Sequence, residues 1–417
     1  MTGHRPAPLM DDLMHDAFGI GSIGGGPRRR IGAEVEFIPV ETLTGRRCGI
    51  DSEEVTSTLP FLRRFGSRQG WREGRTSKGT PCFGIPDGGA LTYEPGGQLE
   101  YSSPPCRSAT SLLALLRSVV LPLRAAAAGE GIDLLATGID PFNSIEQAPL
   151  LVTAKRYQLM AEYFATLGPA GARMMRQTAS FQINLDFDEE PWFRWRVLNA
   201  LAPYVTAIFA NSPIYGGTPT GYQSTRAAVW RQVDRSRTGI PFDDARPVEC
   251  YCDFALDAPA MLVPTADGYR SFTEWLSLAN PSLDDWHEHL STLFPEVRPR
   301  GHLELRSADA VPPAWFAAPL AFTAGILYDP EALRTTDDLL GIPEPDLLDR
   351  AAQYGIHDPV IQGTAAQLFE IALDGCRALG PGYFHPADLE QAVAFSEQYT
   401  RRGRAPADDM VEDAVAA

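Results

Sequence analysis

Carboxylates occur in this chain on strand-like segments, at spacings that matter for chemistry. In Gly32-Ala33-Glu34-Val35-Glu36-Phe37 two glutamates lie two residues apart, so on a strand both project from one face. Like charges side by side repel, and glutamate is a poor strand former, so the segment gives up stability to keep them. A divalent cation reverses that cost, because Mg²⁺ takes oxygen ligands. Taken alone, the pair is explained equally well by a solvated face of an edge strand. A second group is Glu94-Pro95-Gly96-Gly97-Gln98-Leu99-Glu100, where Pro-Gly-Gly makes a tight reversal with a carboxylate on each side, and Gln98 and Glu100 share a face. An exposed hairpin with ordinary surface glutamates is the plain alternative. In a third, His302-Leu303-Glu304-Leu305-Arg306, Glu304 and Arg306 share one face and the leucines the other. Such a pair is commonly a surface ion pair of little energetic worth.

A concave sheet would unite the three segments around one acidic cavity. Several glutamates and arginines in one bowl suit a metal-bound nucleotide and a charged substrate: metals neutralise phosphate, and arginine forks hold carboxylate. The elements that must build it are legible as short strands over 30–40, 91–93, 98–101, 132–138, 178–187 and 301–307. In 178–187, Phe181, Ile183, Leu185 and Phe187 point one way while Gln182, Asn184 and Asp186 point the other. Helical spacing predicts helices over 108–128, 155–167 and 192–210, and Ser282 with Asp285 forms a capping box for another running to Phe294. From 314 to 400 the chain reads as mostly helical. Strands mixed with helices and separated by long stretches predict an α+β fold with an antiparallel sheet. We expect a flexible lead-in over 1–27, one catalytic domain over 28–400 and an acidic, frayed tail over 401–417.

Composition excludes several classes of function. The 417 residues carry 36 Lys plus Arg against 53 Asp plus Glu, a net charge of −17, which leaves no electrostatic footprint for a nucleic-acid backbone. No run reaches the roughly 18 uncharged apolar residues of a membrane span, and the N-terminus lacks the apolar core of a signal peptide; a cytoplasmic chain is expected. Six scattered cysteines without a CxxC pair predict free thiols. Gly19-Ile20-Gly21-Ser22-Ile23-Gly24 matches GxGxxG by letter, but Pro27 and arginines follow where a dinucleotide site needs a helix. His287 and His289 resemble a metal pair, yet i and i+2 point apart on a helix. Trp192, Trp195 and Trp230 read as core or pocket wall.

The ordered motifs Ile31–Glu36, Glu94–Glu100, Gly138-Ile139-Asp140-Pro141-Phe142, Met174–Asp186, Ala210-Asn211-Ser212-Pro213, Ser224–Trp230, Leu293–Arg298 and Leu303–Arg306 together resemble the glutamate–cysteine ligases of the plant and actinobacterial type. The likeness runs over roughly residues 30 to 330. These belong to the glutamine-synthetase-like carboxylate–amine ligases, so the resemblance implies a curved antiparallel sheet forming a bowl flanked by helices. It implies ATP, L-glutamate and L-cysteine as substrates and Mg²⁺ as cofactor, with γ-glutamylcysteine made through a γ-glutamyl phosphate for ergothioneine or glutathione synthesis. By likeness Glu34, Glu36, Glu94, Glu100 and Glu304 form the metal cluster. Arg226 clamps the substrate carboxylate, Arg306 faces the same cavity, Gln182 and Asn184 hydrogen-bond substrate, and Arg300 and Lys155 serve the ATP phosphates. Three other readings stand beside it: a ligase of the same family with another amine, a non-catalytic nucleotide-binding regulator, and a hydrolase using paired carboxylates.

Overall fold

The computed structural model describes residues 6–19, 29–187, 189–243 and 245–416. Its centre is a nine-stranded sheet made of β1 (Ile31–Glu41), β2 (Arg72–Arg75), β3 (Pro81–Gly84), β4 (Ala90–Tyr93), β5 (Leu99–Ser102), β6 (Ile132–Leu135), β7 (Phe181–Leu185), β8 (Val297–Pro299) and β9 (Leu303–Leu305). The order is β8-β9-β7-β1-β5-β4-β3-β2, with β6 paired to the far end of β1. Every pairing in it is antiparallel. Alternation along the strands gives two unlike faces. Ile31, Ala33, Val35 and Phe37 of β1 are buried with Phe181, Ile183 and Leu185 of β7 and Leu303 and Leu305 of β9 in one large core. That core continues into the helices Ala109–Gly129, Pro191–Ile208 and Ala317–Tyr328. The opposite face is the polar one.

The helix Ala109–Gly129 is capped by Ser108, whose side chain accepts from the Ser111 N–H. It is long and apolar enough by length and composition to cross a membrane, more so than the sequence reading allowed. Here it buries Leu112, Leu113, Leu116, Val119, Val120 and Leu123 in the core. The Ser282–Asp285 capping box is present, on a helix that ends at Leu290, short of Phe294.

Both chain ends differ from expectation. Within the expected flexible lead-in, residues 7–17 are helical, and Leu9, Leu13, Ala17 and Phe18 are buried in the main core. Phe18 packs on Trp192, Trp195 and Tyr251. Apolar residues at helical spacing there outweigh the glycines that follow. The glycine cluster Gly24–Gly26, and the GxGxxG match beyond Gly19, lie outside the described residues. At the other end Pro406–Ala416 is a helix, anchored where the Ala407 N–H donates to the Ala210 carbonyl at 2.9 Å. Buried Ala405 and Ala407 account for the order of a segment whose composition reads as frayed.

Candidate active site

Cross-strand register gathers the acidic segments on the polar face. Glu36 of β1 lies opposite Glu100 of β5, and Glu34 lies opposite Gln182 of β7. Glu304 of β9 lies between Asn184 of β7 and Arg298 of β8. Glu94 reaches the same place from the hairpin, whose turn is closed by the Glu94 N–H on the Gln98 carbonyl at 2.9 Å and the Gly97 N–H on the Glu94 carbonyl at 2.8 Å. On this face lies a cavity of about 600 Å³ lined by Glu34, Glu36, Glu94 and Glu100 and by Arg226, Arg298, Arg300 and Arg306, among others.

The acidic wall is crowded. Burial raises the Glu94 carboxyl to about 7, with the Glu36 charge adding to it. Burial also pushes Glu100 well up, helped by Glu34, Glu94 and Glu36, and raises Glu34, where Glu304 adds repulsion. Hydrogen bonds hold these groups in place without neutralising them. Glu36 accepts from the Ser180 N–H at 2.8 Å, the Ser180 hydroxyl at 2.9 Å and the Gln182 amide at 3.1 Å. Glu34 accepts from the Asn184 amide at 3.2 Å, and Glu100 from the Ser102 hydroxyl at 2.8 Å. Four half-buried carboxylates, none in a salt bridge among the described residues, offer oxygen donors of the kind Mg²⁺ takes, though their oxygens do not converge within 4.8 Å as those of Asp12, Asp16 and His287 do. Glu34, Glu36, Glu94 and Glu100 are the residues that would hold Mg²⁺.

Glu304 lies behind the arginine wall and, contrary to expectation, does not line the cavity. It is fully buried, so it is no surface ion pair. It accepts from Arg298 Nε at 2.6 Å and Nη2 at 3.0 Å, from Arg300 at 2.9 Å and from Arg306 at 3.2 Å. Burial pushes this carboxyl up, but the Arg298, Arg306 and Arg300 guanidiniums overcome it and hold the carboxyl far below its usual range. With both oxygens taken by arginine, Glu304 would have to exchange a guanidinium for a metal ion to join the cluster. Arg306 also donates to the Gln182 side-chain Oε1 at 2.5 Å, so Gln182, whose Nε2 donates to Glu36, ties the two walls together. Arg306 stacks over Trp230 and Phe294 at 5.5 and 5.8 Å.

Arg226 is fixed from behind. It donates to the Arg306 carbonyl at 2.7 Å and stands 3.8 Å from Asp309. Asp309 in turn accepts from the Asn211 N–H and the Ser212 and Ser224 hydroxyls at 2.8, 2.6 and 2.8 Å. Ser224 also caps the helix that carries Arg226, which explains why Asn211-Ser212 and Ser224 recur near the arginine.

Two expected residues stand elsewhere. Lys155 is an exposed first residue of the helix Lys155–Ala165, off the cavity wall, whereas Arg156 and Tyr157 line it. Asn184 supports Glu34 and does not reach the wall. Residues not anticipated are Lys78, Arg156, Tyr157 and Arg298. Arg298 and Arg300 obey the same two-residue spacing as the glutamates, so a signal for Arg298 existed. Lys78 sits in a polar turn with no periodicity to betray it. Cys48, Cys82, Cys106 and Cys376 are free thiols. Buried His289 hydrogen-bonds the Ala255 carbonyl at 2.7 Å, while exposed His287 meets Asp12 at 2.6 Å and lies with Asp12 and Asp16 within 4.8 Å, a group that could hold a metal ion, so the two histidines do not form a pair.

Residues 30–415 match the family described as Glutamate-cysteine ligase family 2. The chloroplastic glutamate–cysteine ligase of Medicago truncatula is 33% identical over 409 residues, covering 92% of this chain and 78% of that protein. The glutamate–cysteine ligase EgtA of Mycolicibacterium smegmatis is 35% identical over 349 residues, covering 80% and 79%. Among solved structures, the glutamate–cysteine ligase of Francisella tularensis in complex with AMP superposes with a TM-score of 0.51 at 12% identity, covering 93% of this chain and 84% of that one; likeness at that identity is of fold.

Proposed function

Because this chain belongs to glutamate–cysteine ligase family 2, we propose that it joins the γ-carboxylate of glutamate to the amine of cysteine at the expense of ATP, in the cytoplasm. The observation that carries the reading is a single cavity lined by five glutamates and five arginines. A carboxylate does not condense with an amine at neutral pH, because its oxygen is a poor leaving group. An oxygen of the γ-carboxylate attacks the γ-phosphorus of ATP, and ADP leaves. The amine nitrogen then attacks the acyl carbon of the γ-glutamyl phosphate, and phosphate departs with the former carboxylate oxygen.

The chain's task is positioning and charge compensation. Arg226, held by Asp309 and the Arg306 carbonyl, clamps the glutamate carboxylate as a pre-set fork. Arg306, Arg298 and Arg300, splayed around Glu304, present guanidinium edges to the transferring phosphate. Lys78 and Arg156 guard the remaining rim. Glu34, Glu36, Glu94 and Glu100 are the residues that would hold Mg²⁺, which would supply charge neutralisation at the phosphates. No cysteine of the chain takes part, since none of the six lines the cavity.

The test is phosphate release from Mg-ATP in the presence of glutamate, comparing cysteine, other small amino acids and no amine, in wild type and Glu304→Ala. Cysteine-dependent turnover that collapses in the variant, with γ-glutamylcysteine identified by mass, is the expected result. Activity with a different amine alone changes the substrate and keeps the chemistry. Silence with every amine contradicts the ligase.

A further inference from the structure

Part of the cavity lining is apolar, next to Arg156 and Tyr157. Met160 on the helix Lys155–Ala165, with Met174 and Met175 on the helix Ala170–Gln177, forms that part. The three belong to a buried apolar cluster separate from the main core, and each is under one tenth exposed. Two polar groups beside them are spent on backbone: the Thr178 hydroxyl donates to the Met174 carbonyl at 2.7 Å, and the Gln98 amide donates to the Thr178 carbonyl at 2.9 Å. This wall adjoins the acidic one, because Gln98 also accepts from the Gly96 N–H at 3.0 Å within the hairpin that carries Glu94.

A side chain placed here meets polarizable thioethers and few free hydrogen-bonding groups. A thiol suits that surroundings, being a weak donor and weak acceptor that packs like a small hydrophobe. A hydroxyl of similar size surrenders its hydrogen bonds to water without replacement. We propose that Met160, Met174 and Met175 seat the side chain of the incoming amino acid and select a thiol over a hydroxyl. The inference rests on the ligase reading and adds the residues that set acceptor specificity.

The experiment measures kcat/KM for L-cysteine, L-serine and L-2-aminobutyrate at saturating Mg-ATP and glutamate. For wild type we expect cysteine and 2-aminobutyrate within tenfold of each other and serine lower on the order of 10- to 100-fold. Met174→Gln and Met175→Gln keep length but offer an amide, and should compress the cysteine-to-serine ratio at least about fivefold, with KM for ATP and glutamate within about twofold of wild type. Met174→Leu and Met175→Leu should keep the ratio. Active glutamine variants with an unchanged ratio overturn the proposal while leaving the ligase intact. If neither glutamine variant folds, the wild type decides: use of serine as readily as cysteine, or rejection of 2-aminobutyrate by more than tenfold, overturns it. A wild type inert with every amine removes the ligase reading itself, and this proposal with it.

Discussion

Glu94 shows what the acidic wall costs the metal-free protein. Its carboxyl, raised to about 7 by burial and by Glu36, binds a proton more tightly folded than unfolded. Stability from this group is therefore greatest at and below about pH 4.5, and is lost as pH rises through 7. Glu94→Gln keeps the shape and removes the charge. At pH 8 without divalent cations the variant should melt a few degrees above wild type, the gap should close near pH 5, and added Mg²⁺ should stabilise only the wild type; melting scans at both pH values check all three. Arg298 tests the opposite wall. It is the bidentate partner of buried Glu304, so Arg298→Ala removes two of that carboxylate's four guanidinium hydrogen bonds, leaving those of Arg300 and Arg306, and should cost about 1.5–3 kcal/mol in urea unfolding. At this scale the sequence was readable wherever strand parity applied, as with Glu34, Glu36, Glu100, Glu304 and Arg306. It was not readable at the start of the helix Lys155–Ala165, where one residue turns the side chain by about 100° and Arg156, not Lys155, meets the cavity.

Among the elements, the Glu94–Glu100 hairpin is the most constrained. A Cβ on Gly96 would lie 2.2 Å from the Arg176 carbonyl oxygen, a backbone atom that cannot step aside. Gly96→Ala should therefore displace Glu94 and reduce ligase turnover at least about 100-fold, whereas Gly79→Ala, with open space around its Cβ, should strain only its own turn, where φ is +80°, and keep turnover within about tenfold. Steady-state kinetics on the pair separates the two. The helix Leu283–Leu290 carries a pH dependence of the other sign. Burial pushes His289 down to about 4, so folding keeps the ring neutral while the unfolded chain protonates near 6.5. Its contribution is complete above pH 6.5 and lost as pH falls toward 4. His289→Phe should flatten the acid limb of a stability-versus-pH curve by about 3 kcal/mol. Caps and alternation made these elements legible. Their ends were less so: the strand expected over 301–307 pairs only across Leu303–Leu305, because Gly301 turns at φ +70°.

For the whole molecule, the decisive step is the strand order that sets residues 34–36, 94–100 and 298–306 side by side. No local pattern dictates β9-β7-β1-β5-β4; the ordered motifs suggested it through likeness, and the register realises it. The same order explains how a chain of net charge −17 would take anionic substrates, since arginines on β8, on either side of β9 and on the helix Thr225–Val233 line the cavity. The packed N-terminal segment was hidden by the glycines after it. It braces the arginine wall, with the Gly301 N–H donating to the Ala17 carbonyl at 2.7 Å next to Arg300.

The central claim is that the γ-carboxylate of glutamate is phosphorylated in this cavity before an amine displaces the phosphate. It is tested most directly with glutamate carrying ¹⁸O in its γ-carboxylate, incubated with Mg-ATP and cysteine, the released phosphate being read by mass. One ¹⁸O transferred to phosphate for each γ-glutamylcysteine formed is the predicted result. Product formed with no ¹⁸O in the phosphate contradicts the account.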